Sequence, residues 1–156
     1  MFNTILLALD GSEASERAIP LAEDLAKQSG GRIIIGHVRE IMIGRGGGQT
    51  VNANEDELEA SVRSLAARLA ESGIETAVEV ATSGVGGPAH ALAEMAEREH
   101  ADVIVVGTRG HGPVAGLLLG SVTQRLLHIA PCPVLAVPTG KHAEARAAER
   151  ETVAVS

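Results

Sequence analysis

Five short apolar runs, separated by stretches of helical periodicity, constrain this chain more than any other feature. The runs are Thr4 to Leu9, Arg32 to Val38, Glu75 to Thr82, Asp102 to Val106 and Val134 to Val137. Between them, Ser12 to Ser29 carries Ala18, Ala22 and Leu25 on one helical face and stops at Gly30. Pro20 is expected to kink that helix or mark its early turns. Asn54 begins a second helix, with Glu57 three residues on as in a capping box. Leu58, Val62, Leu65 and Leu69 form its apolar stripe, and Gly73 ends it. Gly87-Pro88 opens a third helix, faced by Ala89, Leu92, Met95 and Ala96. Ser121 to Ile129 reads as a short fourth helix.

Strands that alternate with helices build βαβ units, hence a parallel sheet covered on both faces. The first, second and fourth runs are continuously apolar, which suits the centre of such a sheet. The third alternates apolar with polar residues, and the fifth is bracketed by Pro133 and Pro138; both suit edges. With right-handed crossovers, these assignments predict a single three-layer α/β domain. Its five-stranded parallel sheet has the order 3-2-1-4-5. A length of 156 residues fits one domain and can bury a core without staples.

Composition narrows the function. Phe2 is the only aromatic ring apart from the histidines, so the core is aliphatic and a flat ligand has to be gripped by aliphatic side chains. A net charge of −7, with no basic stripe, argues against nucleic acid as a partner. The single cysteine, Cys132, excludes an internal disulfide and fits a reducing, cytoplasmic compartment. Between two prolines, it reads as a small buried hydrophobe. The apolar stretch Ile5 to Leu9 is shorter than the 7–15 residues or so of a signal-peptide core, and far shorter than the roughly 20 of a membrane span.

Two segments stand outside the alternation. Residues 39–53 include IGRGGGQ, which lacks a lysine followed by Ser or Thr and so is not a Walker loop. It reads as a mobile surface loop or as a lid over a ligand. Residues 139–156 are polar and helix-prone, a solvated tail or short appended helix after a domain spanning 1–138.

In an open α/β sheet, ligands bind beyond the carboxyl ends of the strands, where the strand order reverses. Here that point lies between the first strand, ending in Ala8-Leu9-Asp10-Gly11, and the fourth, ending in Val106-Gly107. The stretch GTRGHGPVAGLLLGS therefore faces a carboxylate across the crevice. Its glycines permit close backbone approach, its N–H groups can form an anion nest, and the helix from Ser121 presents its positive end. Asp10 can accept hydrogen bonds from ribose hydroxyls. Each role has a structural rival. Asp10-Gly11 is also a common turn dipeptide, Ser121 with Gln124 is also a capping box, and Gly107, Gly110 and Gly112 can simply shape a loop.

The spacing of Gly107, Gly110 and Gly120-Ser121 matches the G-2x-G-9x-G-(S/T) motif, and in this the chain resembles the universal stress protein family. LLALDGSEASERA, the HV closing the second strand, ADVIVVGTRGHG and PCPVLAVP extend the likeness from about Asn3 to Pro138. The resemblance implies the fold of the adenine nucleotide alpha hydrolase type. It also implies the ATP-binding branch of the family, a homodimer through the fifth strand, and a regulatory or sensing role in stress response. By position it implies that Ala8 and Asp10 touch the adenosine, with Asp10 on the ribose, and that Val38 meets the adenine through its backbone. Val106 and Gly107 would flank the nucleotide, while Gly110, Gly120, Ser121 and Val122 would hold the phosphates. Arg109 and His111 lie in the same loop at variable family positions. A Mg or Mn ion is implied on the phosphates.

Little in the sequence points to catalysis. No histidine pair has zinc-site spacing, no G-x-S-x-G elbow occurs, and only Asp10 among the carboxylates is placed at the crevice. Binding with weak or no hydrolysis is expected, and His111 is the histidine expected to face the ligand. The alternatives are a slow ATPase or nucleotide hydrolase, and a structural dimer with vestigial glycines.

Overall fold

The centre of the fold is β1 (Thr4–Ala8), buried along its whole length. The computed structural model describes residues 1–43, 46, 49–50, 53–108 and 119–138. β1 is followed by α1 (Glu13–Ser29), β2 (Arg32–Arg39), β3 (Met42–Ile43), β4 (Gln49–Thr50) and α2 (Glu55–Glu71). Then come β5 (Thr76–Thr82), α3 (Gly87–Arg98), β6 (Val103–Gly107), α4 (Ser121–Ile129) and β7 (Val134–Val137). The main sheet is parallel, in the order β5-β2-β1-β6-β7, which is the predicted 3-2-1-4-5 arrangement of the five long strands.

Burial follows the logic that predicted this order. β1 and β6 are wholly buried, as central strands flanked by helices must be. β5 is only half-buried and β7 partly exposed, as befits edges. Ile5, Leu7, Ile33, Ile35, Val103 and Val105 pack beneath α1 and α2, against Ala18, Ala22, Val62 and Leu69. Leu6, Ile34, Ile104 and Val106 face the other way, against Leu92, Met95 and Leu126 of α3 and α4. Each of these large side chains contributes about 1.5–3 kcal/mol relative to exposure. Cys132 is half-buried at the rim of this second core.

Several local expectations change. Residues 39–53 are not simply a loop: β3 and β4 pair antiparallel, Met42 with Thr50 and Ile43 with Gln49. Asn54 does not cap α2 through its side chain, so the capping box with Glu57 is not formed. α1 runs through Pro20, which sits exposed in its middle. Gly30 and Gly73, with φ of 68° and 90°, end α1 and α2 as expected.

Candidate functional site

The crevice opens where β1 leaves β2. The N–H of Leu9 still donates to the Gly36 carbonyl at 2.9 Å, the last ladder bond on that side. The chain then turns sharply. Asp10 Oδ1 accepts the Ser12 N–H at 2.9 Å, and Gly11 takes φ +78°, a conformation that favours glycine. Ser12 caps α1 by accepting the Ser15 N–H at 3.2 Å, and Ser15 Oγ donates back to the Ser12 carbonyl at 2.9 Å. Asp10 is thereby held at the mouth of the crevice by the turn that starts α1.

β2 continues past the point where β1 ends. Peptide groups alternate sides along a strand. Ile33 N–H faces β5, donating to the Glu75 carbonyl at 2.9 Å, whereas Arg32 N–H donates to Asn3 and the Gly36 carbonyl faces Leu9. The N–H and C=O of Val38 therefore point toward the space that β1 has vacated, and neither has a backbone partner among the described residues.

The opposite wall comes from β6 and α4. The Thr108 carbonyl accepts the Gly120 N–H at 2.5 Å, and Thr123 Oγ1 donates to the Gly107 carbonyl at 2.9 Å. Residues 107–108 and 120–123, far apart in the motif, are thus bonded neighbours. Helical bonding begins with Gln124 N–H donating to the Gly120 carbonyl at 3.0 Å. The N–H groups of Ser121, Val122 and Thr123 have no acceptor among the described residues. An uncapped helix start of this kind favours an anion by about 0.3–1 kcal/mol, or up to about 2 when partly buried.

The predicted site residues divide accordingly. Asp10 follows β1, Val38 lies near the end of β2, and Ser121 and Val122 begin α4, all on the carboxyl-end side of the sheet where its strand order reverses. Ala8 and Val106 lie at the strand ends below it, buried in the second core. Gly107 and Gly120 line the wall but carry structural duties. A Cβ on Gly107 would press into the carbonyl of Ala14 and lie 2.7 Å from Ser15 N. The Gly120 N–H is already committed to Thr108. Ser121 is not the cap of α4: Gly120 occupies that position, without a side chain to cap. Arg109, Gly110 and His111 lie outside the described residues.

One constellation at the crevice was not anticipated. His37 is 2% exposed on β2, beneath α2. Its Nδ1 lies 2.9 Å from the Leu9 carbonyl, and its Nε2 bonds to Glu55, the first residue of α2. Two residues on, Arg39 pairs with Glu59. Strand spacing of two thus meets helix spacing of four, and α2 is fastened to β2 by two polar side-chain pairs. A readable signal existed: His37 shares the strand face of Ile33 and Ile35, and a polar side chain on a core face needs a partner. Among the described residues, no group of three or more His, Cys, Asp or Glu is arranged to hold a metal ion. No helix among them is long and apolar enough to cross a membrane.

Known proteins share this architecture. The family model described as the universal stress protein family matches residues 1–138. A Thermus aquaticus protein, the universal stress protein in the QAH/OAS sulfhydrylase 3′ region, is 40% identical over 138 residues, covering 88% of this chain and 99% of its own. The crystal structure of a universal stress protein family member from Burkholderia pseudomallei superposes with a TM-score of 0.72 at 28% identity, covering 88% and 97% of the two chains. A universal stress protein solved in complex with cAMP superposes with a TM-score of 0.63 at 28% identity, covering 87% and 96%. Sequence and fold agree over the whole described domain, and the chain belongs to the universal stress protein family.

Proposed function

We propose that this protein binds an adenine nucleotide in the crevice between β1 and β6, and works as a cytoplasmic regulatory or sensing dimer with little or no hydrolysis. The observation that carries the reading is the pair of unpartnered backbone surfaces on that crevice. On one side stands the Val38 peptide, with a donor and an acceptor side by side; on the other stand the amides of Ser121 and Val122. A donor next to an acceptor complements the N1 and N6 edge of adenine. Free amides at a helix start complement phosphate. Asp10 at the mouth is suited to the ribose hydroxyls. The neighbour solved with cAMP supports an adenine nucleotide as the ligand class.

ATP is the nucleotide we assign, with Gly110 and the other glycines of its loop completing the phosphate contacts. The described residues supply no metal-ligand set, so a Mg or Mn ion would arrive on the phosphates. Bound there, it would neutralise phosphate charge. The amides of Ser121 and Val122 would fix the phosphate position. Dimerisation is assigned to β7, an edge strand on which Leu135 stays exposed. A nucleotide can shift such a dimer only by binding its conformations with different affinity.

The test is identification of the small molecule that copurifies, by mass spectrometry, followed by calorimetric titration with ATP, AMP and cyclic AMP. With no Trp or Tyr in the chain, a carried nucleotide dominates the near-ultraviolet absorbance of the purified protein. Absence of binding by all three at about millimolar concentration, equivalent to roughly −4 kcal/mol, overturns the reading.

A further inference from the structure

We infer that His37 is a positioning residue that holds the crevice open, by giving the Leu9 carbonyl a partner other than the Val38 amide. This rests on the nucleotide reading above for its functional meaning, but its structural half stands alone. In a continuing parallel ladder, the carbonyl after the Leu9–Gly36 bond would take the N–H of Val38. Here the imidazole of His37 takes that place at 2.9 Å. β1 can then peel away with its last carbonyl satisfied. Val38 keeps its N–H for a ligand.

The hydrogens follow from the partners. Nδ1 faces a carbonyl, so it carries a hydrogen and donates. Nε2 faces a Glu55 carboxylate oxygen, and one proton lies between them. Glu55 fixes the ring so that Nδ1 points at Leu9, just as a carboxylate orients a metal-bound or catalytic imidazole. The groups facing the ring from the elements around it are the Leu9 carbonyl from the β1 end and Glu55 from α2. Neither ring nitrogen is left for the ligand. His37 therefore acts on the site through Leu9 and Val38, without touching a nucleotide.

The experiment compares wild type with His37→Leu, Glu55→Leu and Glu55→Gln. Two quantities are read: amide exchange at Val38 without nucleotide, by NMR, and AMP affinity, by calorimetry. Loss of the imidazole lets Leu9 capture the Val38 amide. Exchange at Val38 should then slow, and AMP affinity should fall, each on the order of tenfold, as expected for one hydrogen bond. Glu55→Leu should do the same by freeing the ring. Glu55→Gln should restore wild-type values, because its amide N–H donates to Nε2 and keeps Nδ1 on Leu9. Unchanged Val38 exchange in the two leucine variants, or a Glu55→Gln protein matching Glu55→Leu, overturns the inference. If wild type binds no AMP but Val38 exchange responds as stated, the inference holds and the nucleotide reading fails. Should His37→Leu not fold, the two Glu55 variants decide.

Discussion

Gly107 lies against Ala14 backbone to backbone, so that the end of β6 and the first turn of α1 touch with no side chain between them. This contact gives a motif glycine a reason for being glycine that does not involve a ligand. Gly107→Ala should therefore destabilise the protein by about 1–3 kcal/mol through overpacking, whether or not nucleotide is present. Denaturant unfolding of the variant with and without ATP measures this. A ligand-only role would leave the unliganded stability unchanged.

Asp10 has one observed role, in the turn that starts α1, and one proposed role, on the ribose, and the two can be separated. Its Oδ1 holds the Ser12 N–H, so Asp10→Ala should lower stability as well as nucleotide affinity. Asp10→Asn keeps a carbonyl oxygen for Ser12 and should recover stability while affinity stays reduced. Ser121→Ala should weaken binding less than Asp10→Ala, because the Ser121 amide survives the change. Equal affinity of wild type and Asp10→Ala, by titration, would remove the ribose role.

Burial raises the thiol of Cys132 above its ordinary range, and the charge of Asp102 adds to the effect. Less thiolate is present at neutral pH than for a free cysteine. Cys132 should react slowly with a thiol reagent at neutral pH, and the rate should keep climbing at pH values where a model thiol has levelled off. Stopped-time labelling followed by mass analysis reads the profile.

Glu23 receives a hydrogen bond from Lys27 at 2.8 Å and lies 3.4 Å from Arg68 of α2. The Lys27 bond leads in holding its carboxyl below the usual range, with Arg68 assisting. A lowered folded value means the contribution is present at neutral pH and is lost as pH falls through and below the ordinary glutamate value of about 4.3. Stability curves of wild type and Glu23→Gln should approach one another in acid and separate toward neutrality.

The sheet was legible because burial writes directly onto strand pattern. Ile33, Ile34 and Ile35 in succession leave no face for water, and Thr76–Thr82 leaves one. The order of the sheet followed from those two kinds of strand and from the handedness of crossovers. Less was legible at the crevice. Ser121 followed by Gln124 looks like a cap, but Gly120 holds that position, its N–H bound to Thr108, and α4 starts one residue earlier than a Ser121 cap would allow. That bond joins positions twelve apart and has no local signature. His37 was visible as a residue and not as a role, because its partners are the carbonyl just past β1 and the first residue of α2. Long-range pairing of this sort depends on topology, which has to be known before the pair can be sought.

The two bonds at the base of the β6–α4 connection have one more consequence. Thr108 with Gly120, and Gly107 with Thr123, fasten both ends of that connection to the scaffold independently of what lies between them. Closing entropy grows only slowly with loop length, by about 0.6 kcal/mol per doubling. Both ends of the intervening chain therefore stay fastened whatever its length or sequence, and residues 109–118 can be altered at small cost to the fold.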